Sequence, residues 1–191
     1  MRRVSFALSL AVAPFLAAQM PAGAAPLTNP CTDPVTLAAA SKFDAAAYLS
    51  RTQGTWTGTA RSVDRSGKQN AAPFQGSFSY SYDAEKNSYE QLNIYQRPGA
   101  TEPVRLNFSG TIEAGILRIN STSYGNYSSC AWLLDNDTML FYSSKTDFDQ
   151  SHVETWEIIT TISENKRNRN AQKIRNGSFD GMIMITETKG N

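Results

Sequence analysis

Histidine occurs once in this sequence and cysteine twice. So few side chains cannot assemble a zinc site of nitrogen and sulfur ligands, and no metal is expected. A Ser-His-acid triad would have to recruit His152, and no G-x-S-x-G nucleophile elbow is present. An excess of one charge is also missing, since 18 basic residues face 17 acidic ones. Nucleic-acid binders carry a marked basic surplus, so nucleic acid is not an expected partner. No apolar run has the length and purity of a membrane-crossing helix, so no transmembrane segment is expected.

The first residues read as an address. Arg2 and Arg3 precede a mostly apolar run from Val4 to Ala18, and Ala22 and Ala24 stand at −3 and −1 of a small-residue cleavage site. This is the pattern of a secretory signal peptide over residues 1–24, which places the protein outside the cytoplasm, secreted or periplasmic. Losing the leader's two arginines leaves 16 basic against 17 acidic residues. Cys31 and Cys130 are then expected to pair in an oxidising compartment. That bridge closes a loop of about 100 residues and is worth about 4 kcal/mol in the entropic model.

Residues 25–53 form an N-terminal segment with a helix. Thr32 or Asp33 can cap it, Pro34 suits a first helical position, and alanine is dense from Ala38 to Ala47. Beyond Trp56 the period becomes two. Phe74, Gly76, Phe78, Tyr80 and Tyr82 share one face, with Gln75, Ser77, Ser79, Ser81 and Asp83 on the other. Val104, Leu106, Phe108, Gly110 and Ile112 alternate in the same way with polar residues. Such alternation marks strands with one buried and one wet face. Gly, Pro, Asn and Asp clusters divide the rest into strands at 55–64, 74–83, 88–97, 103–113, 116–123, 127–134, 138–146, 152–163, 170–177 and 181–188. Short links between consecutive strands make an antiparallel meander. The expected fold is all-β: an antiparallel up-and-down β-barrel of about ten strands over residues 54–191, roomy enough for a cavity. A two-sheet β-sandwich is the alternative.

Gly54 and Trp56 form a G-x-W triplet at the first strand, behind a short helix and ahead of the meander. In this the chain resembles the calycin group, which includes lipocalins and fatty-acid-binding-like barrels. The resemblance implies that Trp56 closes the barrel base beside a basic residue of a late strand, with Lys173 and Arg175 as candidates. A chain that ends in a strand, without a late helix, looks closer to the fatty-acid-binding and nitrobindin-like barrels.

The expected ligand-binding residues are Phe78, Tyr80, Tyr82, Leu106 and Phe108, joined by Trp132, Phe141 and Trp156. Apolar walls with a few hydroxyls suit a small apolar or amphipathic ligand, and no cofactor is required. Arg97 either pairs with a ligand carboxylate or stands at the rim of its "RPG" turn. His152 reads as a solvated turn residue rather than a haem ligand. The "ENKRNRNAQKIR" stretch, with Lys166, Arg167, Arg169, Lys173 and Arg175, reads as a long, polar, solvated hairpin, with contact to an anionic head group or an acidic partner as the alternative. The expected function is ligand binding inside the barrel. A filled barrel acting as a protein-binding or protease-inhibitor module, and an isomerase- or cyclase-type barrel enzyme, are the alternatives.

Overall fold

A computed structural model describes residues 29–40, 42–69, 73–121, 123 and 127–190. The leader therefore lies outside the described residues. Two short helices, α1 (Pro34–Ala40) and α2 (Ala45–Thr52), precede ten strands. These are β1 (Gly54–Asp64), β2 (Phe74–Asp83), β3 (Ser88–Gln96), β4 (Val104–Glu113), β5 (Ile116–Ser121), β6 (Ser128–Leu133), β7 (Thr138–Thr146), β8 (His152–Ser163), β9 (Lys166–Arg175) and β10 (Ser178–Lys189). Every strand pairs antiparallel with its sequence neighbours, and β1 pairs with β10 from Trp56↔Lys189 to Asp64↔Gly181. The sheet is thus a closed barrel, with no exposed edge left. The sandwich alternative is overturned by this closure.

Turn chemistry explains the register at the β9–β10 hairpin. Asn176 and Gly177 both have positive φ, 48° and 77°, as a type I′ turn requires. The β8–β9 link differs from its sequence reading. "KRNRN" is not a solvated hairpin, because the turn is confined to Glu164 and Asn165 and β9 begins at Lys166.

One end of the barrel is closed by α2. Asp44 caps this helix by accepting from the Ala47 amide at 2.9 Å. Tyr48 and Leu49 then drop into the base, packing in one cluster with Tyr82, Tyr89, Leu117, Leu133 and Met139. Burying such side chains supplies about 1.5–3 kcal/mol each before entropy is subtracted. Polar ties fix the plug. Tyr48 Oη lies 3.2 Å from Thr161 Oγ1, Tyr80 Oη donates to Thr52 Oγ1 at 2.5 Å, and Arg51 reaches the Asn136 carbonyl at 2.6 Å.

The segment before α2 lies outside the barrel. Cys31 and Cys130 form a disulfide, and Ala40 and Leu37 of α1 pack with Ile116, Trp132 and Tyr142 on the outer wall. Arg118 donates to the Cys31 carbonyl at 2.7 Å. Among the described residues, no helix is long and apolar enough to cross a membrane.

Candidate functional site

Alternation decides which side chains enter the barrel, and the register aligns them. On β3 the inward residues are Tyr89, Gln91, Asn93 and Tyr95, while Leu92 and Ile94 face out. These four form a polar ladder. Tyr89 Oη donates to Gln91 Oε1, Gln91 Nε2 donates to Asn93 Oδ1 at 2.5 Å, and Asn93 Nδ2 donates to the Tyr95 hydroxyl at 3.3 Å.

Opposite this ladder, β9 carries two arginines into the interior. Arg167 is 1% exposed, Arg169 7% and their partner Glu187 of β10 0%. Arg167 Nε donates to Glu187 Oε2, Arg169 Nε lies 2.9 Å from Glu187 Oε1, and Arg169 Nη1 lies 2.9 Å from Glu157 Oε1. The result is a buried chain of two cations and two anions. Breaking one partner in such a chain leaves an uncompensated charge, which is far costlier than the intact chain. Burial alone would lower the Arg169 pKa, but Glu157 and then Glu187 outweigh it and raise the value.

The arginines also lie against aromatic faces. Arg167 is 4.3 Å from the centroid of Trp56 and 5.5 Å from that of Tyr80, and Arg169 is 4.1 Å from that of Phe78. Trp56 is completely buried and donates from Nε1 to the Thr52 carbonyl at 2.9 Å. Lys189 Nζ approaches its ring at 5.7 Å. Gly54 makes room for that lysine: its φ is +124°, and an added Cβ would lie 2.9 Å from Lys189 Cε. The basic partners of Trp56 are therefore Arg167 and Lys189. Lys173 and Arg175 are corrected as candidates, because they sit further along β9, where they pair with Asp180.

The packed base leaves a void of only about 10 Å³ between Tyr80, Tyr89, Met139 and Arg167. Burial pushes the Tyr80 pKa up to about 12 and that of Tyr89 well above its usual value. Above the base the barrel opens. An inner chamber of about 190 Å³ is lined by Gln91, Asn93, Leu106, Phe108, Phe141, Ser143, Thr155, Glu157 and Arg169. A wider mouth of about 820 Å³ follows, walled by Phe74, Val104, Ala171 and Ile183, with Arg97, Lys173 and Asp180 at its rim. Tyr95, Leu106 and Thr155 line both spaces and form the neck between them.

The residues expected from sequence divide among three places. Leu106, Phe108 and Phe141 line the chamber, and Arg97 is an exposed residue of the mouth. Phe78, Tyr80 and Tyr82 point inward but belong to the packed closed end rather than the chamber. Trp132 and Trp156 are corrected outright. They lie on the outer wall, packed with the disulfide and Tyr142, whose ring centroid is 4.8 Å from that of Trp156. His152 is exposed at the start of β8, with Nε2 3.7 Å from Glu154 Oε1. Among the described residues, no group of three or more His, Cys, Asp or Glu side chains is placed to hold a metal ion.

Sequence reasoning missed Gln91, Asn93, Glu157 and Arg169. For Gln91 and Asn93 a signal existed, since "YEQLNIY" alternates, but its inward half is the polar one.

No protein-family model and no curated protein matches the chain. Solved structures share its fold. The S-type phycobiliprotein lyase CPES from Guillardia theta superposes with a TM-score of 0.58 at 10% identity, over 80% of this chain and 96% of the lyase. A protein of unknown function from the DUF3598 family of Nostoc punctiforme PCC 73102 gives 0.55 at 14% identity, over 74% of this chain. This chain spans about half, 49%, of that protein's length. Rv2717c from M. tuberculosis gives 0.52 at 10% identity, over 78% of this chain and 99% of its own. At these identities the likeness is one of fold.

Proposed function

We propose that this protein is a calycin-like barrel, secreted or periplasmic, that binds a small amphipathic molecule through the open end. The observation that carries this reading is the passage from an apolar mouth of about 820 Å³ through a neck to a polar chamber of about 190 Å³. Concave, partly apolar sites with a few convergent polar groups are the usual form of a small-molecule pocket. The disulfide supports an oxidising compartment. The shared fold with a phycobiliprotein lyase supports the calycin-like assignment.

A filled barrel acting through its outer loops fits less well, because only the α2 half is packed solid. Glu157 in the chamber wall favours a second reading, an isomerase- or cyclase-type barrel. Its ion pair with Arg169 opposes that use, since the carboxylate is already engaged by the guanidinium at 2.9 Å.

Titration with Nile red, a neutral amphipathic dye, tests the proposal. Saturable binding with a blue-shifted emission is expected. A linear, non-saturating response overturns it.

A further inference from the structure

The charges inside the barrel are already balanced, and this bears on which head group the chamber takes. Arg169, the cation at the chamber floor, is shared between Glu157 and Glu187 at 2.9 Å each. Lys145, also in the chamber wall, has Nζ 2.6 Å from Asp147 Oδ1. The floor therefore offers no net positive charge. A ligand carboxylate brought to it would share a low-dielectric space with Glu157, and like charges there repel strongly. The remaining polar groups of the wall are neutral, the Gln91 and Asn93 amides and the Ser143 and Thr155 hydroxyls, and they stand beside the apolar Leu106, Phe108 and Phe141. Arg169 presents donors and Glu157 presents acceptors side by side. The ion pairs run through Arg169 Nε and Nη1 and through Glu157 Oε1, so Arg169 Nη2 and Glu157 Oε2, which take no part in them, are the atoms a ligand would meet.

From this geometry we propose that the ligand head is an uncharged group with adjacent donor and acceptor, of the amide class, and not a carboxylate. Its carbonyl accepts from Arg169 and its N–H donates to Glu157, while its apolar body lies along Leu106 and Phe74 toward the mouth. A site built to pair both partners of an amide rejects analogues that leave one unpaired. This inference rests on the proposed ligand-binding function and deepens it.

Isothermal titration of the full mature chain with octanamide, sodium octanoate and N,N-dimethyloctanamide tests it. The dimethyl compound separates hydrogen-bond donation to Glu157 from simple apolar partitioning. Octanamide is expected to bind about tenfold tighter than either analogue, a difference of about 1.4 kcal/mol. Glu157→Gln, which removes the negative charge, is expected to bring octanoate to within about twofold of octanamide. Octanoate or the dimethyl compound binding as tightly as octanamide to the unaltered protein overturns the amide proposal and leaves ligand binding standing. An unchanged ratio in a folded Glu157→Gln protein overturns it as well. Heat from none of the three, with Nile red also failing to bind, removes both readings together.

Discussion

At the closed end, Arg167 and Glu187 are sealed beside Trp56 and Tyr80, with Arg169 stacked on Phe78 above them at the chamber floor, whereas at the open end Arg97 and Lys173 stand in water around a cavity. Both ends carry cations, but only the closed end holds its arginines in a largely buried ion chain against aromatic faces. The closed end therefore carries the stability of the barrel and leaves almost no void. The open end keeps its polar groups in or near water, tolerates empty volume and leaves room for a ligand.

The largest expected effect breaks the buried chain. Glu187→Leu strips Arg167 and Arg169 of their shared carboxylate and is expected to cost about 3–5 kcal/mol in denaturant unfolding. Asp147→Ala removes a carboxylate of the β7–β8 link, paired to Lys145 and Arg175, and is expected to cost less than about 1 kcal/mol. Equal losses would erase the contrast between the ends.

Outside both ends lies the disulfide. Replacing Cys31 and Cys130 by serine together is expected to lower stability by about 2–5 kcal/mol, measured the same way, because the bridge spans 99 residues. Nile red affinity should survive, since the bridge touches the outer wall and not the chamber.

Truncating one leucine at each place separates packed base from open neck. Leu49→Ala in the base is expected to cost about 2–5 kcal/mol, the range of a buried leucine. Leu106→Ala borders open volume in the neck and is expected to cost under about 1 kcal/mol, with a larger effect on dye binding than on unfolding.

The two ends also differ in pH response. Tyr48, Tyr80 and Tyr89 of the base have pKa values raised by burial above the usual 10.0, Tyr80 to about 12. Their contribution is fully present below pH 10 and is lost as pH rises through the folded values. At the open end, Lys145 and then Arg175 lower the Asp147 pKa, and Lys173 and then Arg175 lower that of Asp180, below the usual 3.8. That smaller contribution is present above the ordinary carboxylate range and is lost as pH falls through the folded values. Thermal midpoints should drop steeply on the alkaline side and gently on the acid side. Tyr80→Phe should soften the alkaline drop.

Where one face of a strand was dry and the other wet, the sequence was legible. The alternation in β2 and β4 placed Phe78, Leu106 and Phe108 inward, and the structure does the same. β6 was not legible, because α1 and the disulfide cover its outer face and all but its first residue are buried. With both faces dry, alternation disappears, and Trp132 was assigned to the wrong side. β9 failed for a different reason. "KRNRN" has the composition of a solvated turn, and its burial depends on Glu157 and Glu187 from neighbouring strands. No local pattern announces partners that arrive from other strands. The same error moved the basic partner of Trp56 from Arg167 to later residues of the strand. In β3 the inward face is polar because it faces a chamber rather than a core, so Leu92 and Ile94 lie on the outer side and the alternation alone does not say which half turns inward.

On the proposed route a ligand enters from the mouth and passes the neck into the chamber. Nile red titration of the Thr155→Trp protein tests this most directly, because Thr155 lines both spaces and the indole would fill the passage. Dye affinity is expected to fall at least about tenfold in Thr155→Trp, while the Leu49→Ala protein binds as the unaltered one does. Unchanged affinity in a folded Thr155→Trp protein would place the dye elsewhere and rule out this route.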